Sequence, residues 1–219
     1  GTQGGDFAWI REQISDSTEL RDVSQETGKI DLQGPDAPAM LANLLDDPID
    51  GLKYFRFAEN RLDEATVRVS RTGYTGEIGF ELYASNATTL VLWDRLLEAG
   101  ATPAGLGARD TLRLEVGLPL YGHEMSTNRN AGESGFTSIL SPDKDFVGCE
   151  AVRRHLDGGS VLTGVVLEGR RAAREGDVIQ LVDGETVGEV TSGSFSPSLG
   201  RAIALGYVRR EHVQPGQKV

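Results

Sequence analysis

A single cysteine, Cys149, stands in 219 residues, so no internal disulfide can form, and one thiol with three histidines cannot build a zinc-finger type of site. No apolar run approaches the roughly 18–20 residues that a bilayer span needs, and no charged-then-apolar leader opens the chain. Positive charge is in deficit. The 22 Lys and Arg stand against 33 Asp and Glu, leaving a formal charge of −11, which argues against an unaided grip on nucleic-acid phosphate or anionic lipid. The expectation is a protein with no nucleic acid, membrane or metal partner, working in the reducing cytoplasm. Hydrophobic residues are not scarce: at 38% they suffice for a core, in one large domain or two to three small ones. The acidity is concentrated, because residues 1–64 hold 14 acids and 6 bases, −8 of the total −11. A solvated face is the simpler reading of this charge, and a docking face for a basic partner is the other.

Periodicity and turn residues predict the following elements. An extended segment runs from Leu20 to Asp31 and turns at Gln33-Gly34-Pro35-Asp36 into a helix over Ala37–Leu45. Lys53–Phe57 and Ala65–Ser70 read as strands, the second with Val67 and Val69 alternating against Thr66 and Arg68. A further strand, Ile78–Tyr83, sends Phe80 and Leu82 one way and Glu81 and Tyr83 the other. The helix after it is capped by Ser85 or Asn86, carries Leu90, Trp93 and Leu97 on one stripe, and stops at Gly100. This order of strands and helices predicts an α+β fold with a ferredoxin-like α/β layer. A short helix follows near Asp110–Val116, residues 124–136 read as polar loop, and another helix lies around Glu150–Leu156. Beyond it, Val161–Leu167, Val178–Leu181, Thr186–Ser192 and Ala202–Tyr207 read as strands of a small antiparallel β-barrel or sandwich.

Two places carry candidate chemistry. In SRTGYTGEIGFELY (residues 70–83) three glycines surround Tyr74, Glu77 and Glu81. A hairpin connection with outward polar residues accounts for the pattern. So does a ligand face, on which Glu81 offers two acceptor oxygens to two parallel N–H groups of an amidine-like ring edge. Arg109 sits at the start of its helix, where the macrodipole disfavours a cation. Its partner is either Asp110 or Glu115, or a ligand carbonyl or carboxylate meeting the guanidinium fork. Arg113, four residues on, shares that face. His123 and His155 lack metal-ligand spacing, Cys149 has no base partner in sequence, and Ser194 is outside any nucleophile-elbow pattern.

Five motifs in one order, DLQGP (31–35), SRTGYTGEIGFELY (70–83), AGLGARDTLRLEVGLPLYG (104–122), DFVG (145–148) and TSGSFSPSLGRAIALGYV (191–208), resemble the aminomethyltransferase family, the T-protein of the glycine cleavage system. The resemblance implies the three-domain folate-binding fold, truncated: residues 1–100 as the ferredoxin-like part of the folate-binding domain, 101–152 as the remainder of a second α/β domain, and 153–219 as an incomplete C-terminal β-barrel. It implies transfer of the one-carbon unit of aminomethyl, carried on the lipoyl arm of H-protein, to tetrahydrofolate, with release of ammonia. Lipoylated H-protein and tetrahydrofolate are the implied partners. Glu81 corresponds to the carboxylate that holds the pterin edge, Arg109 to an arginine lining the folate site, and Tyr74 to a neighbour of the folate ring. The catalytic residue is unknown, because the family's aspartate lies N-terminal to residue 1. The chain is therefore expected to be a fragment, inactive alone and prone to self-association through unpaired sheet edges. Two other readings stay open: another folate-dependent demethylase of the same fold, and a noncatalytic folate-binding or interaction module.

Overall fold

The computed structural model describes residues 3–141, 143–154, 159–216 and 218. The chain divides into two compact units, residues 1–73 with 77–103, and residues 74–76 with 104–219.

The first unit opens with helix α1 (Gln3–Gln13), which the sequence reading did not foresee. Its sheet has four antiparallel strands, β1 (Thr27–Gln33), β2 (Phe57–Leu62), β3 (Ala65–Ser70) and β4 (Gly79–Ser85), in the order β1-β4-β3-β2. Two helices, α2 (Ala37–Leu44) and α3 (Asn86–Glu98), contribute Ala37, Leu41, Leu92 and Leu96 to the same core as Ile30, Leu32, Leu62, Val67, Val69, Phe80 and Leu82. Because strand side chains alternate, that apolar face leaves Lys29, Asp31, Glu59, Arg68, Ser70, Glu81 and Tyr83 on the other. The α+β class is the one expected.

Three local readings are corrected. The first strand begins at Thr27 rather than Leu20. Lys53–Arg56 is a turn and not a strand: Phe55 has φ 59°, Arg56 N–H donates to the Lys53 carbonyl at 3.0 Å, and extension resumes at Phe57. A left-handed residue reverses the chain direction where a strand would need it extended. The third correction concerns α3. Ser85 caps it as expected, accepting from the Thr88 N–H, and Gly100 closes it at φ 99°. Its buried stripe, however, is Leu92 and Leu96, while Leu90 is 70% exposed and Trp93 44%. Both stripes obey a helical period, and the one that meets β1 and β4 is set by how the helix is rolled onto the sheet.

The second unit contains α4 (Leu106–Glu115), α5 (Cys149–Arg154) and a second antiparallel sheet of β5 (Ser160–Val166), β6 (Val178–Gln180), β7 (Thr186–Ser196) and β8 (Arg201–Arg209), ordered β5-β8-β7-β6. Central strand β8 is buried on both faces, which explains its nearly unbroken apolar run. Ala204 and Val208 join Ile179, Val187 and Val190 on one side, and Ile203 and Leu205 pack with Leu114 of α4 on the other. Bulges at Ile179/Gln180 and Val190/Ser192 bend the sheet. Gly193 is required by close approach: a Cβ there would lie 2.2 Å from the Ala173 carbonyl oxygen. Helix α4 starts four residues before the expected Asp110, since neither Gly105 as its cap nor Gly107 interrupts it.

Candidate functional site

Glu81 is in the middle of β4, paired with Asp31 of β1 on one side and Ser70 of β3 on the other. Its side chain is 16% exposed and points to the polar face of the sheet. Three donors converge on it. The Lys29 ammonium bonds Oε1, the Thr72 hydroxyl donates to Oε2 at 2.6 Å, and the Tyr83 hydroxyl donates to Oε2 at 3.1 Å. Lys29 also contacts Asp31 Oδ1 at 3.0 Å, so one ammonium is shared by two carboxylates. Burial alone would raise the Glu81 carboxyl, but the bonds from Lys29 and Thr72 and the lysine charge outweigh it and hold the group below the usual carboxylate value. Lys29 is the mirror case: burial would lower it, and its bonds to Glu81 and Asp31 push it up instead.

The glycines around Tyr74 have a packing reason. The Gln33 amide lies over them, donating to the Thr72 and Phe80 carbonyls, and a Cβ at Gly73 or Gly79 would lie 2.0 or 2.1 Å from Gln33 Oε1. The glutamine of DLQGP thus locks the loop that delivers Thr72 to Glu81.

Tyr74 and Arg109 both belong to the second unit, and the structure brings them together: the Arg109 guanidinium carbon lies 4.9 Å from the centre of the Tyr74 ring. At that distance the cation meets the negative face of the ring. The phenol donates to the Pro119 carbonyl at 2.5 Å, and burial raises it above the ordinary tyrosine value. The two carboxylates named as alternative partners of Arg109 also have other donors. Asp110 accepts from Arg113 Nε at 2.8 Å, and Glu115 accepts from the hydroxyls of Ser196 and Ser198. Glu81 belongs to the first unit, with its own set of contacts.

Sequence reasoning missed a buried polar network behind this loop. Arg113 and Glu124 are 1% and 0% exposed, with Nη1 2.9 Å from Oε2. Arg113 also donates to the Leu118 carbonyl and to Ser192 Oγ, while Glu124 accepts from the Leu120 N–H at 2.8 Å and the Thr191 hydroxyl at 2.7 Å. Against the cost of burial, these bonds and the arginine charge hold the Glu124 carboxyl below its ordinary value. The pair therefore clamps residues 118–120, the segment whose Pro119 carbonyl receives Tyr74. Tyr207 extends the network, donating to the Glu124 carbonyl at 2.7 Å. A polar residue at 124 in a polar stretch carries no burial signal.

Among the described residues no cluster of His, Cys, Asp and Glu could hold a metal ion. His123 faces Glu175 at 3.2 Å on the surface, and His155 lies outside the described residues. Two cavities of about 360 and 460 Å³ occur in the second unit, lined in part by Arg170, Arg171, Arg174, Phe195 and Arg201. Neither is lined by Glu81, Tyr74 or Arg109, whose candidacy rests on side-chain chemistry and not on an enclosed pocket.

Comparison with known proteins identifies the family. Residues 1–144 match the family model of the GCVT N-terminal domain, and residues 161–219 that of the glycine cleavage T-protein C-terminal barrel domain. An aminomethyltransferase of Streptomyces avermitilis is 44% identical over 208 residues, 90% of this chain and 56% of its own length. One from Halothermothrix orenii is 40% identical over 221 residues, 98% of this chain and 62% of its own. The crystal structure of the glycine cleavage system aminomethyltransferase T from Bartonella henselae superposes with a TM-score of 0.85 at 30% identity, covering 97% of this chain and 59% of that one. The chain thus spans between about half and two thirds of the length of these relatives.

Proposed function

Because the chain belongs to the aminomethyltransferase family of the glycine cleavage system, we propose that it is the tetrahydrofolate-binding part of such an enzyme. The reaction is transfer of the one-carbon unit of lipoyl-bound aminomethyl on H-protein to tetrahydrofolate, with release of ammonia, in the cytoplasm. The observation that carries this reading is the Glu81 carboxylate, held ionised on the polar face of the sheet by three converging donors. An ionised carboxylate is the acceptor that a pterin's amino-pyrimidinone edge requires, since that edge presents two parallel N–H donors. The fit has a condition. A carboxylate has about four lone-pair positions, and three are engaged by Lys29, Thr72 and Tyr83. One N–H can be accepted directly. A second replaces a resident donor, and the Tyr83 hydroxyl, the longest of the three contacts, is the one that turns away.

Tyr74 and Arg109 are the other two residues proposed to contact folate, through the ring face and the guanidinium fork. All three orient the ligand and none transfers a proton. In the transfer itself, the carbon must lose ammonia and meet a weakly basic folate nitrogen, so positioning that nitrogen is a direct contribution to rate.

Calorimetric titration of the chain with tetrahydrofolate under anaerobic conditions tests the reading, beside Glu81→Ala and Arg109→Ala. Saturable binding by the parent chain, weakened at least about tenfold in each variant as expected for loss of a charge-assisted contact, supports it. Binding that persists in both variants overturns the residue assignment. No saturable binding by a demonstrably folded chain overturns the folate reading for this chain.

A further inference from the structure

The polar face of the first sheet holds more charge than the proposed reading uses. Strand β1 reads Lys29-Ile30-Asp31-Leu32, so its two charged residues alternate out beside Glu81 while Ile30 and Leu32 enter the core. Asp31 is the register partner of Glu81, and Lys29 is the partner of Tyr83. Two carboxylates on adjacent strands are a repulsive pair unless a cation sits between them. Lys29 is that cation: its ammonium contacts both, and it also lies 5.7 Å from the centre of the Tyr83 ring. The other cations of this face have partners of their own, Arg61 donating from Nε to the Asp63 carbonyl at 3.3 Å. Arg68, opposite Tyr83 on β3, is bound to Glu59 of β2. Arg71, in the loop after β3, donates to the Gly79 carbonyl. Thr72 and Ser70 are neutral, and α2 and α3 pack on the opposite, apolar face. Lys29 is therefore the only cation contacting Glu81 among the described residues.

We propose that Lys29 is a positioning residue for ligand binding, its ammonium lying between the Asp31 and Glu81 carboxylates and clamping Glu81 from the β1 side. This rests on the reading of Glu81 as a ligand acceptor. The clamp has two effects. It fixes Oε1, leaving the Oε2 side with its two hydroxyl rotors as the part of the carboxylate that adapts to an incoming donor edge. It also supplies the countercharge without which a carboxylate that is five-sixths covered takes up a proton as pH falls. A protonated Glu81 is a donor at one oxygen and no longer matches two N–H groups. Binding in the parent chain is thus expected to be insensitive to mildly acidic pH, and that insensitivity is the property Lys29 confers.

The test compares the parent chain with Lys29→Met, Lys29→Arg and Asp31→Asn, measuring affinity for the air-stable reduced folate 5-formyltetrahydrofolate between pH 8 and pH 5.5. The parent, Lys29→Arg and Asp31→Asn profiles are expected to be level. Lys29→Met is expected to lose affinity by about tenfold for each pH unit below the raised Glu81 value. The profile and not the absolute affinity is the readout, because Lys29 also occupies an acceptor position that a ligand could use. A level profile in Lys29→Met overturns the proposal, and so does the same loss in Asp31→Asn, which would mark a general disturbance of the sheet face. If the parent chain shows no saturable binding, the folate reading is what fails. The clamp is then judged alone by NMR titration of ¹³C-labelled glutamate carboxyls, with the Glu81 resonance assigned through Glu81→Gln. A Glu81 midpoint that does not move upward in Lys29→Met overturns it.

Discussion

The Arg113–Glu124 pair shows how much a single side chain can decide. Removing one partner of a buried ion pair leaves an uncompensated charge, so Arg113→Met is expected to destabilise the chain by about 3–5 kcal/mol, read as a lowered urea midpoint. A change below about 1 kcal/mol would contradict the buried network. Because the pair also holds the segment containing Pro119, the same variant is expected to weaken tetrahydrofolate binding, whereas Tyr74→Phe removes only one hydrogen bond and is expected to cost about 0.5–1.5 kcal/mol of stability. Glu81 itself could be singled out from the alternation of its strand. Tyr83 shares its face by the same alternation, but Lys29 and Thr72 could not be foreseen as donors, because they reach Glu81 only through the β1–β4 register and the Gln33-locked loop. Glu124 gave no signal at all, since a glutamate in a run of polar residues looks solvated until the fold closes over it.

Helix α3 makes the corresponding point for elements. Its existence, its Ser85 cap and its glycine stop follow from local chemistry, but its buried face does not, because Leu90, Trp93 and Leu97 make as good a stripe as Leu92 and Leu96. Leu92→Ala is expected to cost about 2–5 kcal/mol, and Trp93→Gln to stay within about 0.5 kcal/mol of the parent, both by chemical denaturation. The reverse ranking would restore the stripe centred on Trp93. In β7, Gly193→Ala would drive a methyl group against the Ala173 carbonyl and is expected to destabilise by about 1–3 kcal/mol. The strands of the second sheet were readable within a residue or two at most of their ends. Those of the first were less so, because a turn centred on Phe55 has no glycine or proline to announce it.

At the scale of the whole molecule, three carboxyls, Glu81, Glu115 and Glu124, are held below the ordinary value of 4.5 by hydrogen bonds and, for the first and last, by a neighbouring cation, all against burial. A carboxyl with a depressed folded value binds protons first in the unfolded chain. Its stabilisation is complete above the unfolded value and is lost as pH falls through the folded one. The urea midpoint is therefore expected to be level from pH 7 down to about 5 and to fall steeply below. Glu124→Gln is expected to lower the plateau and flatten the fall. A midpoint that does not respond to pH below the ordinary carboxyl value would show that these groups are not paired as described. The exposed apolar side chains of α3 bear on the expected self-association, for which light scattering at several protein concentrations is the direct measurement.

Composition, alternation and turn residues were enough to determine an α+β chain with a β-rich C-terminal part, and five motifs in order were enough to identify its family. Alternation and helix position also picked out Glu81 and Arg109, because an outward carboxylate in an alternating strand and an arginine at a helix start are local anomalies, whereas Tyr74 came from the resemblance. The tertiary structure alone decided which face of α3 is buried, that Arg113 and Glu124 form a buried pair, and that Lys29 rather than solvent faces Glu81. Those outcomes depend on strand register and on the roll of one element against another, which are set by the sum of many weak contacts between distant segments and leave no mark in any one stretch of sequence.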